Sequence, residues 1–196
     1  MSRYSDREPY LDPVSGVLKN RLGSQDQAIL EAAEADFVAA RARNLVRAPL
    51  KGRFDLPHLQ AIHRYMFGDL HEWAGQLRTV EISKGDNPFA HHAHIATAAA
   101  TVFEKLERER HLVGLDSQSF CSRAAFYFGE INALHPFREG NGRTQREFFS
   151  HLANARGYYI AWEYVNQTEM LRASIESFHG DFAQLTAILR RIIQEP

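Results

Sequence analysis

Apolar residues recur at three- and four-residue spacing along most of this chain, a period that predicts helices. Residues 25–47 are rich in Ala, Glu, Gln and Arg, all good helix formers. Ile29, Ala33, Phe37 and Ala40 are expected to form their buried stripe, with Ser24 as N-cap and Pro49 as the end. Ahead of them, residues 14–22 read as short helical turns stopped by Gly23. Residues 1–13 are polar, carry Pro9 and Pro13, and read as an extended arm that packs late or not at all. The next helix has Asp55 as cap, Pro57 in its first turn and Leu59, Ile62, Met66 and Leu70 on its apolar face. Residues 95–110 are helical and 111–116 a break. Residues 117–134 form the central buried helix, with Phe120, Ala124, Tyr127, Phe128, Ile131 and Leu134 inward. Pro136 ends it, because the residue before a proline avoids the helical region. A further helix runs from about Asn141 to 156 with Phe148, Phe149 and Leu152 inward, and Gly157 is its natural stop. Another starts at Asn166 or Thr168, and residues 182–193 form the last.

One stretch breaks the helical pattern. Thr79-Val80-Glu81-Ile82-Ser83 alternates and is rich in β-branched residues, which predicts a short strand, and Lys84-Gly85-Asp86-Asn87-Pro88 predicts a turn. A lone hairpin is marginal unless it leans on helices. Its open edge is a surface on which a partner peptide can add a strand. No repeat or low-complexity linker divides the chain, so one all-α domain over residues 1–196 with a single small hairpin is expected.

Composition narrows the function. The formal net charge is −1 and 44% of residues are hydrophobic. That excludes a disordered chain and argues against a general nucleic-acid or membrane-surface binder. No apolar run approaches a membrane span, and residues 1–10 lack the apolar core of a signal peptide. Cys121 is the single cysteine, so there is neither an internal disulfide nor a multi-cysteine zinc site, which fits a reducing cytoplasm. It lies beside a buried helical face and reads as packing rather than as a nucleophile. His91, His92 and His94 cluster, but no carboxylate or cysteine sits at metal-ligand spacing from them. Their expected role is at the junction of hairpin and helix. No nucleophile elbow or phosphate-binding loop with its lysine is present.

The chemistry concentrates in His135-Pro136-Phe137-Arg138-Glu139-Gly140-Asn141-Gly142-Arg143-Thr144-Gln145-Arg146. A turn with two glycines that feeds a helix start is a ready anion site, because helix N-termini leave N–H groups unpaired. Gly140 and Gly142 allow close backbone approach, and the Asn141 amide can donate to a phosphate oxygen. Arg143 and Arg146, three apart, face one side of the helix with guanidinium forks suited to phosphate. Two of them point to a polyphosphate. Glu139 beside a polyphosphate suits Mg²⁺. His135, ending a rigid helix, is placed to take a proton from an incoming hydroxyl. Taken singly, each has a structural reading: a histidine after a helix, a plain glycine turn, an Arg143–Glu147 pair across one helical turn.

Together, these residues match the Fic-domain signature His-Pro-Phe-x-Asp/Glu-Gly-Asn-Gly-Arg-x-x-Arg. Trp73-Ala74-Gly75-Gln76-Leu77-Arg78 resembles the segment that precedes that family's β-hairpin flap. Val17-Leu18-Lys19-Asn20-Arg21-Leu22-Gly23 resembles the N-terminal segment of bacterial members. The resemblance implies a Fic-fold helical bundle with a catalytic core at about 55–160. It also implies a protein adenylyltransferase, which moves AMP from ATP to a hydroxyl side chain of a target protein. By the same resemblance His135 is the general base, Phe137 anchors the loop and Trp73 is structural. Glu139 holds Mg²⁺ on the phosphates, Gly140, Asn141 and Gly142 form an anion hole, and Arg143 and Arg146 hold the β- and γ-phosphates. The flap Ile82, Ser83, Lys84, Gly85, Asp86, Asn87, Pro88 and Phe89 clamps the target.

Many members of the family carry an inhibitory Ser/Thr-x-x-x-Glu-Gly/Asn helix whose glutamate blocks the second arginine, here Arg146. This chain has none: the fifth residue from Ser24 is Ala28, from Thr168 Arg172 and from Ser174 Phe178. The inhibitor is then either missing or supplied by another chain; the second case resembles a cytoplasmic bacterial toxin held by a small antitoxin, with the ATPase subunits of type II topoisomerases as one class of target. No membrane or direct nucleic-acid partner is expected. Tyr4 and Tyr10 are candidate self-modification sites. The alternatives are a kinase or other nucleotidyl transferase on the same fold, a secreted effector-type enzyme, and a non-catalytic nucleotide-binding module.

Overall fold

The structure is a computed structural model that describes residues 8–84 and 87–195, with the backbone alone at Asn87. Tyr4, Gly85 and Asp86 therefore lie outside the described residues. The described residues form seven α-helices: α1 Gln27–Arg47, α2 Leu56–Phe67, α3 Ile95–Arg108, α4 Ser117–Leu134, α5 Asn141–Asn154, α6 Gln167–Phe178 and α7 Ala183–Ile192. The sequence expectation of an all-α fold with a small hairpin holds. No helix among these residues is long and apolar enough to cross a membrane.

Helix α4 is the hub. Its N-cap Asp116 accepts from the Ser119 N–H, and its body packs against α3, α5, α6 and α7. Phe120, Cys121, Ala124, Tyr127, Phe128 and Ile131 are buried along it, as the spacing predicts. Cys121 is a packing residue whose thiol is pushed up to about 11 by burial. Helix α5 presses Phe148, Phe149 and Leu152 into the same core and lies against α2, which in turn carries α1. A rigid hub therefore delivers the α4–α5 turn to one place on the surface.

Several expectations need correction. The buried stripe of α1 is Leu30, Val38 and Leu45, while Ile29 and Phe37 are exposed. Asp26, not Ser24, is the N-cap, accepting from the Ala28 and Ile29 N–H groups. Residues 14–22 are not helical. They return along residues 8–12 through an antiparallel bridge of Leu11 with Leu18. The described part of the arm also packs: Tyr10 is buried, meets Trp73 edge-on at 5.5 Å and accepts from the Thr79 N–H, and Glu8 pairs with Arg138.

Residues 79–82 are not a strand. The hairpin is β1 Ser83–Lys84 against β2 Asn87–Pro88, in the register Ser83↔Pro88 and Lys84↔Asn87. Nor is it the sole β structure, since β3 Tyr159–Ile160 pairs with β4 Ile193–Gln194 and closes the C-terminus onto the segment after α5.

Candidate functional site

Helix α4 ends on His135, which adopts a left-handed conformation at φ 44°. A non-glycine residue there costs about 1–2 kcal/mol, so the surroundings must hold it. They do so through Arg78, one of the largest fully buried side chains. Its Nε donates to the His135 carbonyl at 2.8 Å, its Nη2 to Leu134 at 3.2 Å and to Ala90, and its Nη1 to Val80 at 2.7 Å. One guanidinium thus satisfies the unpaired carbonyls at the end of α4, where the helix dipole favours a cation. It also ties down both ends of the hairpin segment. The sequence reading placed Arg78 in a motif without giving it a task. Its signal was a lone cation in the segment between an apolar helix and a β-branched run.

The His135 ring is half-buried beneath Phe89, stacked at 3.8 Å between centroids and 13° between planes. Its Nδ1 lies 3.2 Å from the Asn132 carbonyl. A carbonyl only accepts, so Nδ1 carries the proton and Nε2 keeps a free lone pair. Burial pushes the imidazole down to about 4, with Arg78 and Lys84 adding to the effect against the Asn132 hydrogen bond. At neutral pH the ring is an uncharged base.

The turn that follows is held from below. Phe137 is buried and stacks on the His63 ring at 3.9 Å. His63 Nε2 donates to the Glu139 carbonyl at 3.0 Å while its Nδ1 accepts from the Gly75 N–H at 2.7 Å. The Asn141 side chain closes the loop on itself, accepting from the Phe137 N–H and donating to the Phe137 carbonyl, both at 2.8 Å. Its amide is therefore a loop staple, and the expectation that it reaches for a phosphate gives way to the backbone. Gly140 sits at φ 79°, and a Cβ there would lie 2.4 Å from the Phe67 ring. Gly142 is different: a Cβ there meets nothing within 4 Å. Helix α5 has no side-chain N-cap, and the Asn141, Gly142 and Arg143 N–H groups have no backbone partner among the described residues.

The two arginines are not equivalent. Arg143 is engaged, donating to Glu34 of α1 at 2.6 Å, lying 3.6 Å from Glu139 and resting over the Phe67 ring. Burial pushes the Glu34 carboxyl up, but the His71 hydrogen bond and the Arg143 guanidinium outweigh it and hold the group below its usual range. Arg146 has no carboxylate partner among the described residues, and burial followed by Arg143 lowers its pKa. The Arg143–Glu147 pairing does not form; Glu147 approaches His151 instead. Glu139 is half exposed at the rim, with one oxygen accepting from the Gly140 N–H.

His135, Glu139, Gly140, Asn141, Gly142, Arg143 and Arg146 all line one pocket of about 340 Å³, together with Lys84 and Phe89 from the hairpin. Its far wall is the face of α6 that carries Met170, Leu171, Ile175 and Phe178. The sequence reading missed this wall, although those residues repeat at helical spacing and leave Leu171 and Ile175 partly exposed. Of the expected flap, Ile82 and Pro88 face a separate outer groove that also takes in Ser83 and Phe89. Trp73 stacks on His71 at 4.5 Å and braces the turn that supplies the Gly75 N–H, a structural position.

A model of the Fic/DOC family matches residues 53–153. The chain is 48% identical over 196 residues to protein adenylyltransferase VbhT of Bartonella schoenbuchensis, covering 100% of this chain and 41% of that protein. It therefore spans less than half the length of that relative. It is 40% identical over 190 residues to the probable protein adenylyltransferase Fic of Escherichia coli, covering 96% of this chain and 94% of that one. Its fold matches the BepC protein of Bartonella tribocorum, a VirB-translocated effector with bound AMPPNP, with a TM-score of 0.89, 27% identity and coverage of 98% and 100%.

Fold and pocket together define a helical domain built around an uncapped, anion-receptive helix start. The chain belongs to the Fic/DOC family.

Proposed function

We propose that this chain is a protein adenylyltransferase that transfers AMP from ATP to a hydroxyl side chain of a target protein. The observation that carries the reading is the pocket itself. A neutral histidine with a free Nε2, three first-turn N–H groups and the Arg146 guanidinium, the last two without backbone or carboxylate partners among the described residues, converge on one cavity. Relatives named protein adenylyltransferases and a fold neighbour with bound AMPPNP support it. The catalytic core is taken as about 55–160 within a single Fic domain.

His135 Nε2 takes the proton from the target hydroxyl as its oxygen attacks the α-phosphorus. The bond from that phosphorus to the bridging oxygen breaks, and pyrophosphate leaves. The N–H groups of Asn141, Gly142 and Arg143 and the two guanidinium groups stabilise charge on the phosphate oxygens, which is where phosphoryl chemistry needs it. The apolar wall of α6 suits a nucleobase. Glu139, a half-exposed carboxylate at the rim, fits Mg²⁺, which takes one or two protein carboxylates plus phosphate oxygens and would neutralise phosphate charge when bound. The hairpin would hold the target by strand addition.

Arg146, which has no carboxylate partner among the described residues, also supports control from outside: an antitoxin helix presenting a glutamate would occupy it. An effector that acts after transfer to another cell is the second reading, favoured by the likeness to BepC. The target, including type II topoisomerase ATPase subunits, belongs to the same proposal, as does activity in the bacterial cytoplasm.

The test is to incubate the protein with Mg²⁺, lysate and ATP labelled at the α- or γ-phosphate. Transfer of α-label alone, lost in His135→Ala, is expected. Transfer of γ-label would make the protein a kinase, and equal labelling by the variant would overturn the assignment of the base.

A further inference from the structure

The three histidines after the hairpin lacked a carboxylate in the sequence pattern, and the fold supplies one. Glu81, ten residues upstream of His91, turns its Oε1 to within 3.3 Å of His91 Nε2 and into hydrogen-bond contact with His92 Nδ1. Glu81 Oε1 also accepts from the His92 N–H at 3.2 Å, and Arg78 Nη1 lies 3.8 Å from the other carboxylate oxygen. The two imidazoles stack at 4.7 Å between centroids. One oxygen and two ring nitrogens, each from a different residue, lie within 4.8 Å of one another. His91 offers Nε2 and His92 offers Nδ1, so neighbouring residues converge without crossing.

We propose that Glu81, His91 and His92 form a binding site for a divalent transition metal of the zinc class, separate from the nucleotide pocket. Two imidazoles and a carboxylate are the donor set of three-ligand zinc sites, which leave a fourth position open. The nitrogen donors favour zinc over Mg²⁺ or Ca²⁺, which take oxygen. A metal here takes the place of the ring protons that face the carboxylate, each imidazole then carrying its proton on the nitrogen turned away from the ion. The His91 ring gives up only a long 3.3 Å contact from the Ala93 N–H.

The ligands flank residues 82–90, which contain both β1 and β2. All three bind one ion only when the two ends of the hairpin segment are held together, so the ion is a clasp on its base. Glu81 and His91 themselves line the outer groove with Ile82, Ser83, Pro88 and Phe89, so an ion held there would border it. The site is independent of the adenylyltransferase reading and stands or falls separately.

Isothermal titration with ZnCl₂ in excess Mg²⁺ and without nucleotide tests it. One zinc per chain is expected, weakened about 100-fold in His92→Ala and at least about tenfold in Glu81→Gln. Co²⁺ is expected to give a visible tetrahedral absorption band that both substitutions remove. All three side chains are at least partly exposed, so circular dichroism of the variants is expected to match the parent. Backbone amides of residues 82–90 are expected to exchange more slowly when zinc is present. No zinc binding by the parent, or equal affinity in the variants, overturns the site. Unchanged exchange over residues 82–90 overturns the clasp.

Discussion

At the scale of single residues, the two glycines of the turn separate fold from function. Gly140 is required by the protein, through its positive φ and the Phe67 ring at 2.4 Å from where a Cβ would be. Gly142 is not, because its Cβ position is empty space, so under the proposed function its bareness serves the phosphates. Gly140→Ala is expected to lower stability by about 2–3 kcal/mol through overpacking and backbone strain, read by thermal melting. Gly142→Ala is expected to keep or raise stability by up to about 1 kcal/mol, since alanine is the better helix former. The same change is expected to weaken ATP binding at least about tenfold. Calorimetry showing unchanged ATP affinity in Gly142→Ala would sink the anion-turn reading. His135 carries a second prediction at this scale. Its depressed pKa places the acidic limb of the pH–rate profile near 4 rather than the ordinary 6.5. Phe89→Ala hydrates the ring and is expected to move that limb upward, measured as kcat/KM against pH.

At the scale of elements, the hairpin and the end of α4 share one buried guanidinium. Arg78→Ala leaves the carbonyls of Val80, Ala90, Leu134 and His135 without their donor. A loss of about 3 kcal/mol or more is expected, checked by urea denaturation, with Arg78→Lys recovering only part because a single ammonium cannot span the fork. Elements also mark where the sequence was readable. The bounds of α4 and its inward residues follow directly from spacing and Pro136. The stripe on α1 was misread by one residue because an alanine-rich helix has little contrast, and packing on α2 selects Leu30 and Val38 over Ile29 and Phe37. Residues 79–82 alternate like a strand, yet Tyr10 takes the Thr79 N–H and Arg78 the Val80 carbonyl in place of a partner strand, and pairing across the hairpin begins at Ile82, whose carbonyl accepts from the Phe89 N–H. The candidate base and the candidate anion turn were legible because they are contiguous. Glu34 and His63, which hold Arg143 and the Glu139 carbonyl, and the α6 wall were not, because only tertiary packing brings them there.

At the scale of the molecule, several neutral histidines are part of the packing. His63 and His135 are each pushed down to about 4 by burial, and His58 is lowered by burial and then by His151. Between pH 6.5 and about 4 the unfolded chain takes up protons at His63 and His135 that the folded chain does not. Stability therefore falls as pH drops through that window, by up to about 1.4 kcal/mol per pH unit for each such histidine. Above pH 6.5 both states are neutral there and the contribution is level. Melting temperatures measured from pH 7.5 to pH 4.5 are expected to drop, and His63→Gln is expected to flatten part of the slope.

The shared Arg78 anchorage has a mechanical consequence. Val80 and Ala90 at the roots of the hairpin, and Leu134 and His135 at the end of α4, are tethered to one rigid fork of nitrogens. A displacement of Val80 or Ala90 is therefore carried through one guanidinium to the peptide that bears the His135 ring. Under the proposed transfer reaction, an acceptor chain that seats badly along the hairpin would then draw the His135 Nε2 lone pair off line as well. On that reading, fidelity toward the acceptor is set by alignment at the Arg78 fork as well as by contacts along the hairpin edge.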